Sequence, residues 1–210
     1  MERRSNYDIQ QEQWEQRFLR MDHEALARLL PELELREDSL RLRHFGRLLS
    51  VSRRDGRITC LSDARPLSFN ACMNVYTLLH YCKPTARLSG EWVSFEDLRD
   101  ASPFAAAFRR GILLPLASLF SGREALLEPA VQALGGERVS RNSYWLPAFA
   151  CIPVRLNFWD GDEDFPAQAN LLFDRSAVDF IHVESVVTIA SEAVSLLAAA
   201  AGLEQDRRAF

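Results

Sequence analysis

The sequence predicts an α+β protein: an antiparallel or mixed sheet from an N-terminal meander and C-terminal strands, packed against several helices. Apolar residues alternate with polar ones between residues 33 and 61, and short apolar runs return between 137 and 173, the pattern of partly buried strands. Between and after those runs the apolar spacing is helical, most clearly over residues 183–201. Strands, helices, strands and a closing helix are segregated along the chain, and the two strand groups are expected to join in one sheet.

Each element carries its own signal. Residues 8–21 read as a helix marked by Ile9, Trp14, Phe18 and Met21, and Asp22 as the N-cap of a second helix carrying Leu26, Leu29 and Leu30, which Pro31 ends. Leu40 and Leu42 alternate with Arg41 and Arg43, and the run 46–52 leads through Arg53-Arg54 to Asp55-Gly56 and a return strand at 57–61. An Asp-Gly pair suits a tight hairpin turn, whose central residues need positive φ, so a small meander is expected. Residues 68–82 form a helix apolar nearly all round (Phe69, Cys72, Met73, Val75, Tyr76, Leu78, Leu79), hence a buried one, stopped by Lys83-Pro84. Phe104, Phe108, Ile112 and Leu116 then recur at intervals of four down one helical face, which Pro115 should kink or divide.

A further helix at 123–134 is closed by Gly135-Gly136, where positive φ is wanted after the last turn. Strands are expected at 137–141, 145–149, 152–158 and 171–173. The final helix sets Val183, Val186, Val187, Ala190, Val194, Leu197 and Ala201 on one face and Glu184, Thr188, Ser191, Glu192 and Ser195 on the other.

The 210 residues fit one domain, with an N-terminal helical flank at about 1–21 and a charged tail at about 203–210 expected to fray. With 25 basic and 29 acidic residues the chain has a formal net charge of -4, which offers no global attraction to nucleic acid or to an anionic membrane, so neither is expected as a partner. The first residues lack the apolar stretch of a secretory signal, and the apolar run 183–203 is interrupted by Glu184, Ser185, Ser191, Glu192 and Ser195, so the protein is expected in the cytoplasm. Cys60, Cys72, Cys82 and Cys151 are scattered, without zinc or iron–sulfur spacing, and read as reduced, mostly buried thiols.

One stretch stands out for function. Trp159-Asp160-Gly161-Asp162-Glu163-Asp164-Phe165-Pro166 puts four carboxylates among aromatics directly after the apolar run 152–158. Such a turn is solvated, paired with arginine, or bound to a cation, because unpaired carboxylates are not buried cheaply. Asp160, Asp162 and Asp164 have the one-three-five spacing of a calcium loop, but Phe165 and Leu171 stand where that loop needs glycine and a bidentate glutamate. A looser cation site with Asn170 or Asp174 is the alternative to solvation or arginine pairing, the plainer reading and one well supplied by a chain in which all but one of the basic residues are arginine.

The order of Leu88-Ser89-Gly90-Glu91-Trp92-Val93-Ser94-Phe95-Glu96-Asp97-Leu98, Leu134-Gly135-Gly136, the acidic turn, and Leu171-Leu172-Phe173-Asp174-Arg175-Ser176 resembles a bacterial and archaeal family of unknown function catalogued under the label three-seven-eight-six. The resemblance spans roughly residues 7–197. It implies no established activity, but hints at anaerobic corrinoid or one-carbon metabolism, because some members carry an N-terminal four-cysteine segment. Here nothing before Cys60 could ligate a cluster, so the resemblance implies no cofactor. Asp164 stands where the family pattern has glutamate, a shorter arm with the same charge.

Other chemistry is weaker. His23, His44, His80 and His182 form no metal-binding pair, and His80, two residues from Cys82, reads as a hydrogen-bonded core histidine rather than half of a nucleophilic dyad. Arg41, Arg43, Arg47, Arg53, Arg54 and Arg57 read as the outward face of leucine-in strands, with pairing to the acidic turn expected for some of them if the strands share a sheet. The reading that follows is a non-catalytic binding or accessory module for an unknown protein or small molecule, with no catalytic residue, metal or cofactor assigned. Its candidate rim is Trp159, Asp160, Asp162, Glu163, Asp164, Phe165 and Asp174. The alternatives are an enzyme using Asp160 or Glu163 as acid or base, and a structural scaffold.

Overall fold

Leu40 and Leu42 turn inward and Arg43 outward along β2 (Ser39–His44), as period-two alternation requires. In the computed structural model, which describes residues 5–203, β2 lies between β1 (Glu34–Leu35) and β3 (Arg47–Ser52), and β4 (Ile58–Cys60) completes an antiparallel sheet in sequence order. The charged tail beyond Leu203 lies outside the described residues. A second antiparallel sheet has the order β5-β9-β8-β7-β6, from β5 (Trp92–Ser94), β6 (Glu137–Ser140), β7 (Ser143–Phe149), β8 (Ile152–Trp159) and β9 (Gln168–Asp174). The fold is α+β. Its two strand groups form two sheets that meet at a corner, not one continuous sheet, because the tip of the β2–β3 hairpin plugs into a bulge of β7 and no strand pairs across.

That tip is the two-residue turn Phe45-Gly46, between paired His44 and Arg47, with φ of 47° and 75°. A buried phenylalanine at positive φ is uncommon and needs surroundings that hold it there. They are present: the Phe45 amide donates to Pro147 and Ala148 carbonyls at 2.9 and 3.3 Å, and Gly46 packs against the backbone of Leu134. Asp55-Gly56, the expected tight turn, is instead part of a longer loop from β3 to β4 in which only Gly56 has positive φ. There the glycine lets the backbone approach α1 (Asn6–Phe18), where an added Cβ would lie 2.7 Å from the Glu15 carbonyl oxygen.

The helices form around these sheets. Asp22 caps α2 (His23–Leu29) by accepting from the Ala25 amide at 2.9 Å, and Ser68 caps α3 (Phe69–Tyr81) by accepting from Ala71. α3 lies against α1 and against α8 (Val183–Ala200), whose Val186, Ile189, Ala190, Ala193 and Leu197 have no exposure. α6 (Leu127–Ala133) ends at Gly135, φ 74°, with the Gly136 amide bonded back to Val131, the expected glycine stop. Glu192, expected on the polar face of α8, is buried and accepts the Ser68 hydroxyl at 2.6 Å; burial raises its carboxyl pKa. His80, expected in the core, is exposed beside Trp14 and Tyr81. The four thiols are free, Cys72 buried and the others half-buried. Among the described residues two helices, Ser102–Phe120 and Val183–Ala200, are long and apolar enough to cross a membrane by length and composition alone; 28% of the first and 56% of the second are buried in the fold.

The core histidine is His44. Its Nδ1 lies 2.7 Å from the Ala148 carbonyl oxygen and its Nε2 3.3 Å from the Asn74 amide nitrogen, so the neutral ring donates to the first and accepts from the second. Asn74 in turn accepts the Thr188 hydroxyl at 2.5 Å, joining both sheets to α3 and α8. Burial, with nearby Arg47, drives the His44 pKa down to about 4 although the Ala148 bond opposes it.

Two outcomes follow. A pKa lowered in the fold means that the unfolded chain takes up the proton first, so His44 stabilises fully above pH 6.5 and loses its contribution as pH falls toward 4. The unfolding free energy from urea titrations should therefore fall between pH 7 and pH 4.5 by an amount on the order of 3 kcal/mol, and a His44→Gln variant should lose most of that slope. Gly46→Ala combines an unfavourable φ with a Cβ 2.8 Å from the Leu134 oxygen and should cost about 2 kcal/mol in the same assay.

Candidate functional site

The end of β9 is held by a buried carboxylate. Asp174, 3% exposed, accepts from the Ser89 amide (2.9 Å) and hydroxyl (2.7 Å), the Gly90 amide (2.7 Å), and the Ser176 amide (2.9 Å) and hydroxyl (2.5 Å). Burial alone would raise its pKa, but the bonds from Ser176 and Ser89 outweigh it and hold the carboxyl at about 2. Beside it, Arg175 makes a bidentate pair with Glu91 at 2.7 Å, and the Arg175 amide donates to the Glu91 carbonyl. Asp174 therefore lies inside the fold as an anchor, away from the rim of the acidic turn. It joins residues 89–91 to residues 174–176, two of the motifs singled out in the sequence.

The acidic turn itself is exposed and self-contained. Asp162 Oδ1 accepts from the Asp164 and Phe165 amides at 2.9 and 2.8 Å, and the Asp162 amide donates to the Phe165 carbonyl. Asp160 Oδ1 accepts from the Gly161 amide and from Gly122, just past α5 (Leu114–Phe120), both at 2.8 Å. Glu163 and Asp164 face solvent. Among the described residues no ion pair reaches these four carboxylates. The meander arginines pair elsewhere, Arg47 with Asp63 and Arg53 with Glu24, so the expected pairing with this turn does not occur. No group of three or more His, Cys, Asp and Glu side chains among the described residues converges on a metal position.

Trp159 leads away from the turn into a groove of about 1010 Å³. One wall is the outer edge of β9 at Gln168, Ala169 and Asn170; the other is a helical segment in which α4 (Ala105–Phe108) passes through a π-helix (Arg109–Leu113) into α5. The π-turn has an identifiable cause: Pro115 has no N–H to give Gly111, and the Leu114 amide bonds five residues back to Arg109. Its slower winding keeps Phe108, Ile112 and Leu116, spaced by four, on the buried side, and turns Arg109 and Arg110 outward. Arg109 and Arg110 line the groove without an ion pair among the described residues, and the groove contains no histidine, cysteine or lysine.

The groove opens onto the uncovered face of the second sheet. Val154, Leu156, Phe158, Leu171 and Phe173 are fully buried, whereas the alternate positions Arg155, Asn157, Asn170 and Leu172 are half-buried. Trp92, Trp145 and Trp159 share that face by register. The Arg155 guanidinium stacks 4.6 Å from the Trp92 ring centroid, and Trp159 Nε1 donates to the Asn142 carboxamide oxygen at 3.0 Å. Of the sequence-derived rim residues, Trp159 (46% exposed) lines the groove, Asp160, Asp162, Glu163, Asp164 and Phe165 (66% exposed) project from the adjoining turn, and Asp174 is internal. Asn170 entered the sequence reading only as a possible cation ligand, and Arg109, Arg110 and Gln168 carried no sequence motif; an Arg-Arg pair inside an apolar helix, six residues before Pro115 at its first member, was the available signal.

A family model described as a domain of unknown function, DUF3786, matches residues 22–195. No curated protein and no solved structure matches the chain.

Asp174→Ala leaves buried donors unpartnered and should lower unfolding free energy by about 3 kcal/mol, while Asp162→Asn and Glu163→Gln on the exposed turn should stay within about 0.5 kcal/mol; urea denaturation at neutral pH separates them. The Asp174 pKa is lowered, so its contribution is complete above the ordinary value of 3.8 and lost as pH falls through about 2, below the His44 window.

Proposed function

We propose, for this chain that belongs to the DUF3786 family, the function of a cytoplasmic, non-catalytic binding or accessory module whose ligand site is the groove between β9 and the π-helix. One observation carries the reading: Trp159 and the unpaired Arg109 and Arg110 face the same groove, in a lining whose single carboxylate, Glu96, is exposed. An unpaired arginine is a donor fork without an acceptor, suited to carboxylate or phosphate, and an exposed indole adds a flat apolar surface. The ligand class is therefore an anion with an apolar or planar body. The acid–base alternative draws no support from Asp160 and Glu163, since both stand in solvent and neither lies in the groove.

Titrating the pure protein with inorganic phosphate, small mono- and dicarboxylates and cobalamin, the last because of the family resemblance, tests the reading through tryptophan fluorescence and calorimetry. Binding of at least one probe is expected, weakened about tenfold by Trp159→Ala or by Arg109→Ala with Arg110→Ala, with unfolding free energy changed by less than about 1 kcal/mol. If Trp159→Ala and the paired arginine variant leave every binding isotherm unchanged, the groove is not the ligand site.

A further inference from the structure

Resting on that reading of the groove, we infer that its occupant is an extended polypeptide segment bearing acidic side chains, which adds as a strand to the open edge of β9. The argument starts from the register. The Arg175 amide donates to Glu91 on the β5 side, and backbone direction alternates along a strand, so Phe173, Leu171 and Ala169 also direct their N–H and C=O groups to that side. The β7–β8 ladder agrees independently: the Phe158 amide donates to Asn142 of the β7 side, so Asn157 and Trp159 face β9 and pair with Asn170 and Gln168. Ala169 is thus left facing outward.

β5 does not cover it. Its last residue, Ser94, stands opposite Leu172, and the chain then turns into a short 3-10 helix at Phe95–Asp97. The Ala169 N–H and C=O consequently open into the groove with no strand alongside among the described residues, while its neighbours Gln168 and Asn170 direct theirs to β8, so the open stretch over 168–170 is roughly 10 Å long and offers one outward N–H and one outward C=O. Such an edge is a template for strand addition, which natural sheets usually shorten, charge or cover. Here the edge faces the helical wall across a groove of about 1010 Å³.

The walls supply side-chain selectivity. A strand at this edge sends alternate side chains toward the apolar helical wall at Leu113 and toward the open face at Trp159, Gln168 and Asn170. Among the described residues Arg109 and Arg110 on the wall have no ion-pair partner, and the one carboxylate of the lining, Glu96, is exposed, which makes acidic side chains the complementary charge. A segment with proline at the pairing position is excluded because it has no N–H for the Ala169 carbonyl.

A random heptapeptide display library panned on the full chain tests this. Recovered peptides should be enriched in aspartate and glutamate and poor in proline, and a synthetic copy should shift the Ala169 amide resonance. Arg109→Glu with Arg110→Glu should weaken that copy about tenfold or more, as should Ala169→Pro, whose lost N–H faces the groove rather than β8. The arginine variant sits on exposed positions and keeps the test valid should the proline variant fold poorly. If small anions or cobalamin titrate into the groove but no peptide is recovered, the groove reading stands and the peptide inference falls. When neither binds, both fall. Concentration-dependent dimerisation abolished by the arginine reversal, without peptide recovery, would place a second copy in the groove and overturn the inference.

Discussion

The carboxylate of Asp174 is the constraint on which the site depends. It is buried, and a buried carboxylate persists only when its lone pairs are satisfied; here the five donors come from residues 89, 90 and 176. Those bonds bring the 89–91 loop to the end of β9 and start β5 at Trp92. Because β5 is only three residues long and then turns away, the remainder of the β9 edge is left for the groove. The neighbouring Glu91–Arg175 pair has good bidentate geometry, yet both side chains are about half-exposed at 57% and 49%, and an ion pair in that setting contributes little. It aligns the loop; Asp174 fastens it.

The opposite wall has a different physical origin. An apolar spacing of four residues is longer than the period of an α-helix, and a regular helix would carry Phe108, Ile112 and Leu116 progressively off the core. The π-turn that Pro115 imposes absorbs the mismatch, so all three stay buried. The same widening places Arg109 and Arg110 together on the outside of an otherwise apolar helix. Packing need and the cationic wall of the groove thus have one cause, which explains how two arginines can lie there without an ion-pair partner among the described residues.

Much of the scaffold was legible because local rules and tertiary packing agree there. The Asp22 cap, the glycine stop at Gly135, the α3 and α8 helices and the β2–β3 alternation all follow from rules that act within a few residues. Where tertiary contacts override a local preference, the reading diverged. Asp55-Gly56 is the better turn sequence, but Phe45-Gly46 makes the tight turn because β7 accepts its amide and Leu134 packs on its glycine. Separate sheets were not visible either, since alternation reports which face of a strand is buried and not which strands pair. β5 was missed for its brevity, and with it the place of Asp174, which the sequence put on the binding rim or in a loose cation site and which five donors instead hold inside the fold.

The acidic turn had the strongest sequence signal, and its place beside the groove gives it a role that needs no ligand of its own. Four carboxylates without an ion pair among the described residues stand at the Trp159 end, while Arg109 and Arg110, likewise without one there, stand along the helical wall. Asp160 ties the turn to Gly122 at the end of α5, so the negative end is fixed to the same helix that presents the positive wall. At physiological salt the screening length is about 8 Å, short enough for the two charge groups to act on different parts of one bound molecule. An anionic group near Trp159 is repelled and one beside Arg109 and Arg110 is attracted, which favours one direction of entry over the other. For the occupant proposed above, the turn would set the polarity of entry by repulsion, and the absence of an arginine partner for it among the described residues leaves that repulsion intact.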